Sequence, residues 1–147
     1  MYSVRYVWLG LFALLAIFIA TGCATTMGTG EQGIKVTLSG DQEAPAVKTS
    51  ASGSGTIVVA SSDKSVSGSI TTSGVVATAA HIHEAARGQN GPVIIPLTKS
   101  SENSWSVPAG AKLTDAQYAS YLKGNLYVNV HSAANKGGEI RGQLNPK

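Results

Sequence analysis

The sequence predicts an all-β fold, a Greek-key or immunoglobulin-like β-sandwich with one short helix. Three observations support this fold class. From residue 33 onward, short runs rich in Val, Ile and Thr are separated by Gly, Ser, Asn and Pro, which is typical of strands and turns. The turn residues recur about every ten residues, as in antiparallel sheets of short strands. Only one later segment carries helix signals at both of its ends.

The strands are predicted from these runs. They cover residues 35–39, 55–61, 65–72, 79–84, 93–97, 104–107, 125–132 and 139–144. Residues 61–64 (Ser-Ser-Asp-Lys) are predicted to form a hairpin turn, and residues 133–136 a loop between the last two strands. Gly137 and Gly138 are expected to have positive φ where the chain enters its last strand.

The predicted helix begins after Thr114. Threonine is a good N-cap, and Gln117, three residues later, completes a capping box. Gly124 supplies a C-terminal stop, so the helix has about two or three turns. We expect this short helix to lie across one end of the β-structure.

The N-terminus has the features of a secretory signal peptide. Arg5 and the N-terminal amine precede an almost wholly apolar run over residues 6–20. A membrane span needs about 20 apolar residues, and this run is shorter. The alternative interpretation is an uncleaved transmembrane anchor. The predicted organisation is a lipoprotein signal peptide over residues 1–22, a flexible tether over 23–32 and one β-domain over 33–147.

Cys23 is the only cysteine of the chain and has no partner for an intramolecular disulfide. Ala20-Thr21-Gly22-Cys23 resembles the lipobox of bacterial lipoproteins, in which the cysteine is acylated and becomes the first residue. The resemblance implies lipid attachment at Cys23 and the membrane as a partner. The residue directly after this cysteine is Ala24, whereas Asp at that position would imply retention in the inner membrane. The implied location is therefore the cell envelope, on the outer membrane and facing the periplasm.

The charge pattern argues against nucleic acid as a partner. The chain has a formal net charge of +3, and loss of Arg5 with the leader lowers it to about +2. The lysines are scattered singly, with no basic stripe and no interleaved aromatic residues.

All three histidines lie in two predicted strands. Strand periodicity places His81 and His83 on one face and Ile82 on the other. In the second strand, His131 lies on the face opposite Val128, which is expected to be in the core. If the two strands are neighbours, three imidazoles converge, and three such nitrogens suit copper or zinc.

The same faces also support a structural interpretation. Polar side chains on these strands are expected to bond to the imidazoles and fix the strand packing without doing chemistry. The polar network predicted in this way contains Glu84, Asn129, Glu139 and Arg141.

Signals for catalysis are weak. The sequence has no Gly-x-Ser-x-Gly elbow, no thiol other than Cys23 and no Walker or dinucleotide loop. We therefore expect no catalytic residue and no enzymatic activity. Residues 87–92 (Arg-Gly-Gln-Asn-Gly-Pro) open no helix and are predicted to be a turn rather than a phosphate site. Asp41 and Glu43 are expected in a solvated loop.

Several segments resemble the CHRD domain, first described in chordin. They are LSGDQEAP at residues 38–45, AHIH at 80–83, GPVIIPL at 91–97, GNLYVNVH at 124–131 and GGEIRGQL at 137–144. The resemblance covers residues 34–145 and implies a β-sandwich in an exported protein, but little about activity. Chordin itself binds growth factors. The string HIHE also resembles the copper-binding strand of Cu,Zn superoxide dismutases, but this chain lacks their second metal cluster and their cysteine pair, so that activity is not expected.

Two functions remain as hypotheses. The first is a non-enzymatic cell-envelope lipoprotein whose CHRD domain is a structural or interaction module, with an envelope protein as partner. The second is a periplasmic copper- or zinc-binding protein that uses His81, His83 and His131. A metal site requires imidazole nitrogens that converge to about 2.0–2.1 Å from one point, whereas rings that each donate to a carboxylate or carbonyl favour the structural role.

Overall fold

The fold is seen in a computed structural model that describes Met1 and residues 32–146. The predicted signal peptide, Cys23 and the predicted tether up to residue 31 lie outside the described residues. Among the residues that are described, no helix has the length and the apolar character needed to cross a membrane.

The predicted all-β class with one short helix is confirmed. The strands are β1 (Ile34–Ser39), β2 (Ser52–Val59), β3 (Val66–Ser73), β4 (Ala77–Glu84), β5 (Val93–Pro96), β6 (Thr98–Ser101), β7 (Ser104–Ser106), β8 (Leu126–Ser132) and β9 (Ile140–Leu144). The α-helix, α1, covers Asp115–Leu122, and a 3₁₀ turn covers Gly40–Gln42. Every predicted strand is present, with its ends moved by a few residues. Only β6 was not predicted, because its sequence (Thr-Lys-Ser-Ser) has no apolar residue and all four residues are exposed.

The strands form one antiparallel sheet in the order β5-β4-β8-β9-β1-β2-β3-β7-β6. The sheet is nearly closed, but β1 and β9 pair at a single position, Ser39 opposite Arg141. This narrow junction divides the sheet into a four-stranded half (β5-β4-β8-β9) and a five-stranded half. The two halves share one apolar core, so the fold keeps the two-layer character of a sandwich.

Gly142 allows β9 to approach β1 at this junction. A Cβ atom at Gly142 would lie 2.5 Å from Val36 Cγ2 and 2.6 Å from the Thr37 carbonyl oxygen. These distances are shorter than van der Waals contact, so the close approach of the two strands requires glycine.

Both halves of the sheet contribute to the core. Ile57 and Ile70 come from the five-stranded half, and Val128, Val130 and Ile140 from the four-stranded half; all five are completely buried. The predicted inward orientation of Val128 is therefore confirmed, and Val130 shares it. Burying such branched aliphatic side chains stabilises the fold by about 1.5–3 kcal/mol each.

The opposite face of β8 and β9 is also buried, because two connections cover it. The β4–β5 connection is held by Arg141, which donates to the carbonyls of Ala86 and Gln89. The β1–β2 connection is held by Glu43, which accepts a hydrogen bond from Asn129 Nδ2. The expectation that Glu43 lies in a solvated loop is wrong, since only 8% of this residue is exposed.

The local predictions for α1 are confirmed. Thr114 Oγ1 accepts from the Gln117 backbone N–H at 3.2 Å, and Gln117 Oε1 accepts from the Thr114 N–H at 2.9 Å. Gly124 has φ +72° and donates its N–H to the carbonyl of Tyr121 at 2.8 Å. These contacts form the predicted capping box and C-terminal stop.

Two predicted turns and one loop can be compared with the structure. Residues 61–64 form the predicted turn, with Lys64 at φ 59°. Residues 87–88 form the predicted turn after β4, with Gly88 at φ 76°. In the β8–β9 loop, Gly138 has the expected positive φ, at 138°. The same expectation for Gly137 is wrong, because the turn needs only one such residue and Gly138 supplies it.

Candidate metal centre

The three histidines meet on the outer face of the four-stranded half. β4 and β8 are antiparallel neighbours, with Ala79 opposite His131, His81 opposite Asn129 and His83 opposite Tyr127. Strand alternation places these residues on the face away from the core. His131 is therefore diagonal to His81.

One ring nitrogen from each histidine lies within 4.8 Å of the other two. His81 Nδ1 and His131 Nε2 are 3.0 Å apart. An ion with metal–nitrogen distances of about 2.0–2.1 Å needs nitrogens about 3.3–3.5 Å apart. The observed distances, from 3.0 Å to at most 4.8 Å, bracket this spacing.

The loops fix the protonation of two of the rings. His83 Nδ1 lies 3.0 Å from the Gly91 carbonyl oxygen, and His131 Nδ1 lies 2.9 Å from that of Lys136. Since a carbonyl oxygen only accepts, each Nδ1 carries the hydrogen. In the neutral ring, Nε2 then carries the lone pair, and this is the form that binds metal. At His131 this nitrogen faces His81 Nδ1 at 3.0 Å.

His83 Nε2 is buried and has no hydrogen-bond partner. His83 as a whole is 8% exposed. A buried polar atom without a partner costs about 1–3 kcal/mol and is rare in native proteins. His83 is one of the three histidines whose ring nitrogens converge.

The environment favours neutral imidazoles. Burial lowers the pKa of His81, and repulsion from His131 and His83 lowers it further. Burial also lowers the pKa of His83 and of His131, and exceeds the opposing effect of their bonds to Gly91 and Lys136. All three shifts therefore favour the neutral form of the imidazole.

An aromatic stack supports His83 from the side. Its ring lies parallel to that of Tyr127, with centroids 5.0 Å apart and an interplanar angle of 14°. The guanidinium carbon of Arg141 lies 3.4 Å from the centroid of the Tyr127 ring, which is a cation–π contact. The Tyr127 hydroxyl accepts from the Gly91 N–H at 3.2 Å, so the residue whose carbonyl orients His83 is itself held in place.

Two members of the predicted polar network, Asn129 and Arg141, lie together and bond to groups other than the histidines. Asn129 bonds to Glu43, and Arg141, 1% exposed, bonds to the carbonyl of Gln89 at 2.7 Å and to Gln143 Oε1 at 3.2 Å. Burial raises the pKa of Glu43, while Asn129 and Arg141 act in the opposite direction. Glu43 therefore belongs to this network, although the sequence pattern did not place it there.

The other two predicted members bond elsewhere. Glu84 accepts from Ser120 Oγ at 2.5 Å, and Glu139 accepts from Thr49 Oγ1 at 2.8 Å. In the described part of the chain, no carboxylate pairs with a histidine. Two of the three rings donate to carbonyls, as the structural interpretation expects, and the third, His81, lies within hydrogen-bond distance of His131. One ring nitrogen from each of the three histidines still lies within 4.8 Å of the other two.

Sequence reasoning missed the two carbonyls that orient the rings, at Gly91 and Lys136. Neither could be found from residue type, because every residue has a carbonyl. Tyr127 could have been found, since strand alternation already places it on the same face as His131.

Comparison with known proteins identifies the family. Residues 34–144 match the CHRD domain, a span that contains all nine strands and the three histidines. No curated protein and no solved structure gives a match. At the level of the family, this result supports a non-enzymatic interaction module. Since the match covers well over half of the chain, the protein belongs to the CHRD domain family.

Proposed function

We propose that this protein is a non-enzymatic cell-envelope lipoprotein, and that its CHRD domain binds a copper or zinc ion through His81, His83 and His131. The observation that carries the proposal is the buried, unpartnered Nε2 of His83 in a cluster with two further imidazoles. A metal ion would satisfy this atom and would replace the contact between His81 and His131 with a bond to each of these rings.

The surroundings of the rings support binding rather than catalysis. Two rings are oriented by backbone carbonyls, as is common for the outer-shell partners of metal-bound histidines. In the described residues, the hydrogen-bond partners of the three rings are one another and the carbonyls of Gly91 and Lys136. No carboxylate or hydroxyl stands among them as a general base or nucleophile.

The lipid anchor is part of the proposal and rests on the leader and the lipobox-like Cys23. β1 begins at Ile34, about eleven residues after Cys23. A chain of this length spans at most about 36–40 Å. An acylated Cys23 would therefore keep the domain close to the membrane surface, which we propose is that of the outer membrane facing the periplasm.

A structural or interaction module without metal is the second candidate. Family membership favours it, as does the buried network of Asn129, Arg141 and Glu43, which holds the two covering connections against the sheet. In this case the partner would be an envelope protein, and the histidines would only stabilise the packing of β4 against β8.

Titration of the purified full chain with Cu(II) and Zn(II) tests the metal proposal. We expect saturation at one ion per chain. His81→Ala, His83→Ala and His131→Ala should each weaken binding by at least about tenfold, since losing an outer-shell partner alone costs about that much. Glu84→Gln is the matched control, because Glu84 is on β4 but bonds to Ser120, and it should leave the affinity unchanged.

The same variants distinguish the two candidates by their melting temperatures. For a metal site, copper raises the melting temperature of the wild-type chain, and the histidine variants lose this rise. Destabilised variants in chelator, together with no copper-dependent rise in the wild type, would favour the structural role.

A further inference from the structure

Carboxylates are turned away from the histidine cluster. Glu84 bonds to Ser120, Glu139 to Thr49, and Glu43 is bonded to Asn129 in the neighbouring network. Among the described residues, the candidate ligands are three histidines and no acidic group. A metal ion bound there would gain no neutralising charge from its ligands.

The fixed charge beside the cluster is positive. Arg141 is fully buried, and its guanidinium lies on the ring of Tyr127, which in turn stacks on His83. The guanidinium stays protonated at all ordinary pH values. Water at the two partly exposed histidines and the neighbouring Glu43 each offset part of this charge. Each additional positive charge on a bound ion is still opposed by Arg141, which lies nearer to His83 through the Tyr127 stack.

We infer that this site prefers Cu(I) to Cu(II) and Zn(II). The inference rests on the proposed metal site. Cu(I) carries a single charge and is stable with two or three ligands. Zn(II) prefers four ligands in a tetrahedron, and Cu(II) a square-planar or tetragonal set. Three neutral imidazoles beside a buried cation match the ion of lowest charge and lowest coordination number.

Competition titrations of the full chain test the inference directly. Cu(I) is added anaerobically against a chromophoric Cu(I) chelator, and Cu(II) and Zn(II) against chelators of known affinity. We expect Cu(I) to bind at least about tenfold more tightly than either divalent ion. This ranking is measured on the unchanged protein and does not depend on any variant.

Ala79→Asp tests the electrostatic cause. Ala79 is half-buried, lies opposite His131 and shares the outer face of β4 with His81. A carboxylate about 6 Å from the ion favours a divalent ion over a monovalent one by about ten- to a hundredfold, for a dielectric constant of about 20 and some screening by water. Ala79→Asn has the same shape without the charge and is the matched control.

The outcomes separate the inference from the proposed function. Tighter Cu(I) binding in the wild type, with a gain for divalent ions in Ala79→Asp but not in Ala79→Asn, supports the inference. Tighter binding of Cu(II) or Zn(II) by the wild type overturns the inference, and so do equal shifts in Ala79→Asp and Ala79→Asn. Either result leaves the proposed metal site standing. Failure of all three ions to bind overturns the proposed function itself.

Discussion

Gly138→Ala is expected to destabilise the fold by roughly 2.5–6 kcal/mol. Gly138 has φ +138°, and an alanine held there costs about 1–3 kcal/mol in backbone strain. The new Cβ atom would also lie 2.6 Å from the side-chain amide of Asn129 and from Glu43 Oε1. It would push these groups apart, and losing a hydrogen bond to a charged group costs about another 1.5–3 kcal/mol.

Urea denaturation at neutral pH in chelator measures this loss, and Gly137→Ala is the matched control. Gly137 precedes Gly138 in the same loop, but it lacks a positive φ. A Cβ atom added at Gly137 would meet no heavy atom within 4 Å beyond its chain neighbours. Its replacement should change stability by less than about 0.5 kcal/mol. Equal losses in the two variants, or a wild-type midpoint for Gly138→Ala, would refute the reasoning.

Three further predictions concern the histidines, the helix and the anchor. The pKa of each of the three histidines is lowered in the folded protein. At pH values just below 6.5, the ordinary pKa of histidine, the unfolded chain therefore binds more protons than the folded one. In chelator, the melting temperature should therefore be highest above pH 6.5 and fall as the pH falls through that value. The melting temperatures should be measured in the Glu43→Gln variant. The raised pKa of Glu43 would otherwise make stability decrease as the pH rises above 4.5, opposite to the effect of the histidines. Thr114→Ala removes the N-cap of α1 and should cost about 1 kcal/mol in a denaturation curve, whereas Thr98→Ala on exposed β6 should cost almost nothing. Cys23→Ser should give an uncleaved precursor or a soluble form in cell fractionation, and normal processing with full membrane retention would contradict the anchor.

The features that the sequence predicted best are local ones. The capping box depends on Thr114 and Gln117, three residues apart, and both of its hydrogen bonds are present. The opposite orientations of Ile82 and His83 follow from strand alternation alone. β6 was missed because it has no apolar residue to mark it and pairs only with its neighbour β7.

What the sequence could not predict depends on contacts between distant segments. The convergence of His81 with His131 requires that β4 pair with β8, fifty residues further along the chain. The burial of Glu43 requires that the β1–β2 connection fold over the outer face of the sheet. Local alternation only distinguishes one face of a strand from the other, and it carries no information on whether a distant loop covers the second face.

The single pair that joins β1 to β9 has a consequence for the dynamics of the domain. The two halves of the sheet are each held by extensive strand pairing, whereas the junction has a single strand pair and is held mainly by the shared core. Few backbone hydrogen bonds therefore need to break for the junction to open locally. Such partial opening is the type of motion that hydrogen exchange detects. Amides at the junction are expected to exchange first, while those between β4 and β8 exchange only when the four-stranded half itself unfolds. The spacing of the histidines is therefore insulated from movement of one half of the sheet against the other.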